Sequence, residues 1–229
     1  MAIKKGDFIR LSFTGKLEDG SVFDTTDEAV AKKQEIFDED KKYEPMTIIV
    51  GSGFLVEGLE EDLIGKKAGD KAVVTVPPEK GYGERSLDAI EIVSTKKFEG
   101  KIEPGQMVEY NGKVGFIESI SGGRVKVDYN APLAGKKLTY EYKIEEIIED
   151  REEKIKALLK GYVSEDAEFK LKEDTIKIEV PKELSMDESW IVGKALIARF
   201  LVGSAGLKKV IFRETFTEDD FKDEDEQEE

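Results

Sequence analysis

The chain of 229 residues contains no cysteine and no histidine. Without cysteine there is no disulfide, no thiol nucleophile and no thiolate metal site. Without histidine the commonest general base and the commonest zinc ligand are missing as well. Neither a metal centre nor a cofactor is expected. Any catalysis has to run on carboxylates, lysine, tyrosine, Ser/Thr hydroxyls, backbone groups or plain apolar surface. No apolar run approaches membrane-spanning length, and MAIKKGDFIR carries no apolar signal core, so a cytoplasmic setting with no membrane partner is expected. Asparagine and glutamine are also scarce, at two and three residues beside abundant Lys and Glu, a composition that leans toward a heat-adapted source.

Positive charge is the minority sign. Charged residues make up 38% and the net charge is −15, which argues against a nucleic-acid partner. From Thr217 to Glu229 nine acidic residues stand against Lys222 alone. Such a like-charge run reads as a disordered, solubilising tail over 217–229.

Between these limits the pattern is α+β. FIRLSF alternates, with Ile9, Leu11 and Phe13 on one face, as does KLTYEYKI with Leu138, Tyr140, Tyr142 and Ile144. MTIIV and KAVVTV read as further strands, and Asp19-Gly20 as a turn. Residues 27–43 have helical spacing, and LVEGLEEDLIG predicts a short helix stopping at Gly65. Between Glu84 and Asp128 a second β pattern interrupts the first, with Asn111-Gly112 as a type I′ hairpin signal and Ser121-Gly122-Gly123 as another turn. After Ile148 the order becomes helix, hairpin, strongly apolar helix, strand. That last helix, from Trp190 to Phe200, is apolar on nearly all sides and is expected to bury a face against a second copy of the chain.

Two motif readings fail. GSGFLVEG has Val56 where a dinucleotide fingerprint needs glycine, and no βαβ unit follows. DEDKKYE lacks the glycine and terminal ligand of a calcium loop. One stretch stays unexplained by packing: in VPPEKGYGE, Tyr82 stands between Gly81 and Gly83, with little from its neighbours to cover it.

The blocks FTGKLEDGSVFDTT, VGSGFLVEGLEEDLIGKKAGDKAVVTVPPEKGYG and VDYNAPLAGKKLTYEYKI, in this order and spacing, closely resemble the FKBP family of peptidyl-prolyl isomerases. The insertion after GYG looks like the SlyD-type subfamily, whose insert-in-flap domain binds unfolded chains. The C-terminal unit is similar to that of long archaeal FKBPs. The resemblance implies an FKBP-like antiparallel half-barrel wrapped on a short helix (1–83 plus 129–150), an inserted small β chaperone domain (84–128) and a C-terminal α-β-β-α-β domain (151–216).

It further implies that Asp24, Tyr82, Phe13 and Tyr140 are the catalytic set, with Phe23, Met46, Leu55, Val56, Leu59 and Leu133 binding substrate. Asp24 would line the pocket, and Tyr82 and the Val56 N–H would hold substrate carbonyls. Taken singly, Phe13, Met46, Leu59 and Tyr140 also read as ordinary core; their joint recurrence at family spacing favours the pocket. The implied partners are unfolded or partly folded polypeptides containing proline, with macrolide inhibitors as pocket ligands. Three positions depart from common family patterns: Ala131 precedes Pro132, Leu59 stands where tryptophan is frequent, and the tail lacks the His and Cys of nickel-binding relatives. The resulting reading is a prolyl isomerase with attached chaperone modules; its rival is a passive holdase with a vestigial pocket.

Overall fold

The structure, a computed structural model, describes residues 1–221. The first part of the chain forms β1 (Phe8–Lys16), β2 (Val22–Thr25), α1 (Glu28–Lys33), β3 (Met46–Ile49), α2 (Glu57–Leu63) and β4 (Lys71–Val76). An inserted unit follows with β5 (Ile90–Ser94), β6 (Met107–Tyr110), β7 (Lys113–Ser121) and β8 (Arg124–Asp128). The chain then returns through β9 (Leu138–Ile148) and ends in α3 (Arg151–Tyr162), β10 (Phe169–Lys172), β11 (Thr175–Glu179), α4 (Lys182–Ser185), α5 (Trp190–Gly203) and β12 (Lys209–Arg213).

The first sheet runs β2-β1-β9-β4, with β3 also pairing β1. All its pairings are antiparallel, and β9 accompanies β1 from Phe8↔Ile148 to Lys16↔Thr139. Period-two alternation turns Ile9, Leu11 and Phe13 inward onto α2, whose Leu59 and Leu63 are fully buried with them. This helix lies directly against β4, because a Cβ at Gly58 would come within 2.8 Å of Val76 Cγ1. The expected antiparallel half-barrel on a short helix is what the structure shows.

The helical reading of 27–43 is corrected to a single short helix. Asp27 caps α1, accepting from the N–H groups of Ala29 and Val30 at 2.8 and 3.1 Å. Of its residues only Ala31 is buried, so the helix has no apolar face to reward extension. Glu35 turns the chain out with φ 59°, and Phe37 stacks on Tyr43 in the loop that follows.

The inserted unit is a four-stranded antiparallel sheet in the order β5-β8-β7-β6. Its core is small: Val93, Ile117, Val125 and Val127, with Phe98, Ile102, Val108 and Tyr110 packed against them. Asn111 and Gly112 both take positive φ, 52° and 72°, as a type I′ turn requires. Where the insert leaves and rejoins the host, the two chain crossings are fastened together. Arg85 reaches Asp128 at 2.7 Å and Glu118 at 2.8 Å, and Ser86 N–H donates to the Asn130 side chain at 2.9 Å. Beyond them, Gly135 N–H donates to Gly83 C=O at 2.8 Å.

The last unit is a three-stranded sheet, β10-β11-β12, antiparallel then parallel, with α3 and α5 packed on it. The short α4 following Pro181 has no counterpart in the sequence reading. The core of this unit is not its own. Ile155, Leu158, Leu159, Ile176, Ile178, Trp190, Ile197 and Leu201 form one cluster with Phe8, Ile49 and Ile148 of the first sheet. Much of α5's apolar surface is therefore used within the chain, while Ile191 and Val192 stay 69% and 73% exposed. The acidic run begins with a 3-10 turn over Glu218–Phe221, where Asp220 pairs with Lys182 at 2.9 Å; the remainder of the expected disordered tail, 222–229, lies outside the described residues. Among the described residues no helix is long and apolar enough to cross a membrane.

Phe8 sits at the joint between the first sheet and the last unit. Phe8→Ala should cost about 3–5 kcal/mol and split urea unfolding, followed by far-UV circular dichroism, into two transitions. A single transition at the wild-type midpoint would show that the shared cluster does not couple the two units.

Candidate active site

The site grows from β1. Phe13 is held there by two threonines: its N–H donates to Thr26 Oγ1 at 2.9 Å, and its C=O accepts from the Thr26 N–H at 3.0 Å. Thr25, almost fully buried, donates its hydroxyl to the same carbonyl at 3.1 Å. The TT of the FDTT block is thus a clamp that fixes β2 and Asp24 beside Phe13.

Two residues on, Gly15 leaves the space in which Phe23 lies. A Cβ there would stand 2.5 Å from Phe23 Cζ and 3.0 Å from the neighbouring ring carbons. The register places Gly15 opposite Tyr140 on β9. Three rings consequently meet: Phe13 and Tyr140 at 6.0 Å between centroids, and Phe23 and Tyr140 at 5.7 Å and 87°. Edge-to-face contacts of this kind add to area burial by about 0.5–1.5 kcal/mol each.

Tyr140 is the pivot. Its ring is buried, and its hydroxyl is pushed far above the usual tyrosine range, first by burial and then by the nearby Tyr82 and Asp24. The hydroxyl therefore stays neutral, and Asp24, Tyr82 and Tyr140 form one group. Asp24 is ion-paired with Lys41 from the loop after α1. Tyr82 itself is 45% exposed. The turn that displays it is closed by Gly81 and Gly83, whose N–H groups both donate to Pro78 C=O at 2.9 and 2.8 Å. Gly83 needs its positive φ of 82° for this turn.

The floor and far wall come from the approach to α2. Leu59 is fully buried, and Leu55, Val56 and Leu133 pack on the same cluster as Phe13 and Tyr140. Glu60 fixes this wall: its buried carboxylate accepts from the N–H of Gly53 at 3.0 Å and of Leu55 at 3.4 Å. Met46 stands apart from that cluster. It sits at the end of β3 opposite Leu11, 41% exposed, and lines a neighbouring cavity. Sequence reasoning missed Gly15, Lys41, Glu60 and the two threonines. Of these only Glu60 had a local signal, a carboxylate placed to reach back over a glycine-rich approach to a helix.

Residues 1–111 match the model of the FKBP-type peptidyl-prolyl cis-trans isomerase domain. A short-type peptidyl-prolyl cis-trans isomerase of Methanocaldococcus jannaschii is 38% identical over 63% of this chain and 94% of its own length. The chain belongs to the FKBP-type peptidyl-prolyl cis-trans isomerase family. As a member it is an isomerase. The FKBP-type 16 kDa isomerase of Escherichia coli K12 is 28% identical over 64% of this chain and 94% of its own. The SlyD isomerase of Vibrio cholerae is 34% identical over 61% of this chain and 66% of its own. Residues 91–133 match the IF domain of FKBP26, and 151–217 its C-terminal domain.

Within this FKBP-type site the position of Phe23 rests on Gly15. Gly15→Ala should cost about 1–3 kcal/mol of stability by overpacking and lower prolyl turnover, with the fold retained. Turnover equal to wild type in a chromogenic tetrapeptide assay would show that the Phe23 position does not matter.

Proposed function

We propose that the protein holds unfolded or partly folded polypeptides in the cytoplasm through its inserted unit and turns their X–Pro bonds in the aromatic pocket by desolvation. The observation that carries the isomerisation step is the contrast within one site. Tyr82 is exposed above rings that are buried, so a binding edge stands over an apolar floor. Rotation about an X–Pro amide crosses about 18–20 kcal/mol but breaks no bond, so the lack of His and Cys costs nothing. The planar amide is polar, because resonance puts charge on its oxygen. The twisted transition state loses that resonance. A pocket walled by Phe13, Phe23, Leu55, Leu59 and Tyr140 excludes water and favours the less polar, twisted form. Tyr82 and the Val56 N–H hold flanking carbonyls while the prolyl side turns, Asp24 lines the mouth, and Met46 and Leu133 border it. Each tenfold in rate needs about 1.4 kcal/mol of such selectivity.

The holding step is supported by the insert's surface. On β7, Val114 and Phe116 are exposed, and Met107 on β6 lies opposite Phe116 in register. Strand β6 is an outer strand of the sheet, with no partner strand on its far side among the described residues. An extended client can add to that edge and lay apolar side chains on the strip. Tethered next to the pocket, such a surface raises the local concentration of prolines.

Tyr82→Phe removes one hydrogen bond and keeps the ring, so kcat/KM on a tetrapeptide should fall by the equivalent of about 0.5–1.5 kcal/mol, with Tyr82→Ala lower still. If Tyr82→Ala unfolds the protein instead, the residue is structural and the proposed role fails.

Excising 84–128 and closing Gly83 onto Tyr129 should spare tetrapeptide turnover and remove most acceleration of proline-limited refolding. A tetrapeptide needs no second contact; a long client does. Equal refolding rates with and without the insert would rule it out as the client-binding module. Refolding yield that survives while tetrapeptide turnover is undetectable in the intact protein would instead identify a passive holdase.

A further inference from the structure

Between the first sheet and the last unit lies a cavity of about 310 Å³, lined by Met46, Phe54, Ala157, Gly161 and Tyr162 among others. Its mouth is apolar and open: Met46 and Phe54 are 41% and 39% exposed. Phe54 leans on Tyr162 and Phe200, at 5.3 and 5.8 Å between ring centroids. Two features of the wall contributed by α3 are left unused by the protein's own packing. The Tyr162 hydroxyl is buried with no hydrogen-bond partner among the described residues, a costly state that a bound polar group would relieve. Gly161 stands in the last turn of the helix, where glycine is unfavourable relative to alanine, yet a Cβ there would meet nothing within 4 Å. No internal contact demands the glycine; it leaves the wall open to another chain.

The cavity neighbours the prolyl site along the chain: Phe54, at its mouth, directly precedes Leu55 and Val56, which pack on the cluster of Phe13 and Tyr140. We propose that this cleft is an apolar subsite that receives a large apolar side chain of the same polypeptide whose proline occupies the pocket, with Tyr162 bonding the client backbone. The inference rests on the proposed pocket. An extended chain advances about 3.3–3.6 Å per residue, so the position of the apolar residue relative to the proline reads out the separation of the two sites. The chain's own residues 222–229, KDEDEQEE, hold no large apolar side chain and cannot fill it. The C-terminal unit would then be the outer wall of an extended binding groove, selecting clients that carry an apolar residue at a fixed distance from proline.

The test uses the full chain and two sets of one-proline dodecapeptides, in which a single leucine or alanine is moved through every position on both sides of the proline. Calorimetric Kd values should show one register where leucine binds about tenfold tighter than alanine. Gly161→Phe, which fills the cleft without touching the pocket, should abolish that preference and leave tetrapeptide turnover unchanged. Tyr162→Phe, which removes only the buried oxygen, should weaken leucine and alanine peptides alike. The subsite is overturned if no register prefers leucine, or if both variants bind the leucine peptides as wild type does. It is also overturned if Gly161→Phe only abolishes a concentration-dependent dimer in light scattering, since the cleft would then hold a second copy. Tetrapeptide turnover by the wild type reports on the pocket separately, because the Kd values do not depend on it.

Discussion

Pairing between β1 and β9 is the constraint on which the other parts depend. It joins the start of the chain to residues beyond the insert, and its register runs unbroken in sense from Phe8↔Ile148 to Lys16↔Thr139, with one irregularity near Arg10 and Leu11. At one end it sets Gly15 opposite Tyr140, so that Phe23 can lie over the glycine and meet the tyrosine edge. At the other end it brings Ile148 beside Phe8, and those side chains become the floor on which the last unit is built. A slip of one residue would turn Tyr140 out of the pocket and Ile148 out of the joint together. Active site and domain packing are therefore fixed by one ladder.

That ladder also explains why an insertion can be placed where it is. The entropy of closing a loop grows only with the logarithm of its length, so a long connection between β4 and β9 is cheap if its ends stay close. Here they are tied by Arg85 to Asp128 and by Ser86 to Asn130, and the insert supplies its own small core. The host sheet feels a short crossing. Tyr82 lies just before that crossing, which puts the exposed apolar strip of the insert and the displayed hydroxyl of the pocket on one continuous piece of chain.

Much of this was legible in the sequence, and what was not has identifiable causes. Strict alternation in FIRLSF and KLTYEYKI, the Asn-Gly turn and the helical spacing before Gly65 are local signals, and each local preference agreed with the final fold. The aromatic set came from the family resemblance, and the structure brings Phe13, Phe23 and Tyr140 together. Phe8 was not recognised as core, since alternation assigns it to the face away from Ile9; only the last unit, folded onto that face, buries it. Residues 27–43 misled because charged helix formers satisfy a helical pattern that has no apolar face to bury. Gly15, Lys41 and Glu60 act through approaches of a ring, a cation and a loop that sequence distance does not encode. The uncovered Tyr82 was the informative anomaly: a large side chain without packing partners in its own stretch proved to be exposed.

Charge has a different part in this molecule from apolar packing. Most of its ion pairs are solvent-exposed, and pairs of that kind contribute little singly. Several, however, tie the first part of the chain to the last unit, directly or through a shared partner. Arg10 bonds both Glu146 and Glu153, at 2.7 and 2.9 Å, and Lys160 reaches Glu44 at 3.0 Å and Glu165 at 3.4 Å, with Lys42 also on Glu165. Glu44 and Lys160 lie close in sequence to Met46 and Gly161, which line the cleft. The apolar joint at Phe8, Ile49 and Ile148 holds the units together, and the ionic rim fixes their relative orientation, since a network restrains geometry even where each bond is weak. A chain with so high a charged fraction thus divides the work: apolar contact supplies the cohesion of the joint, and the ion pairs across it limit how the two units can turn on each other.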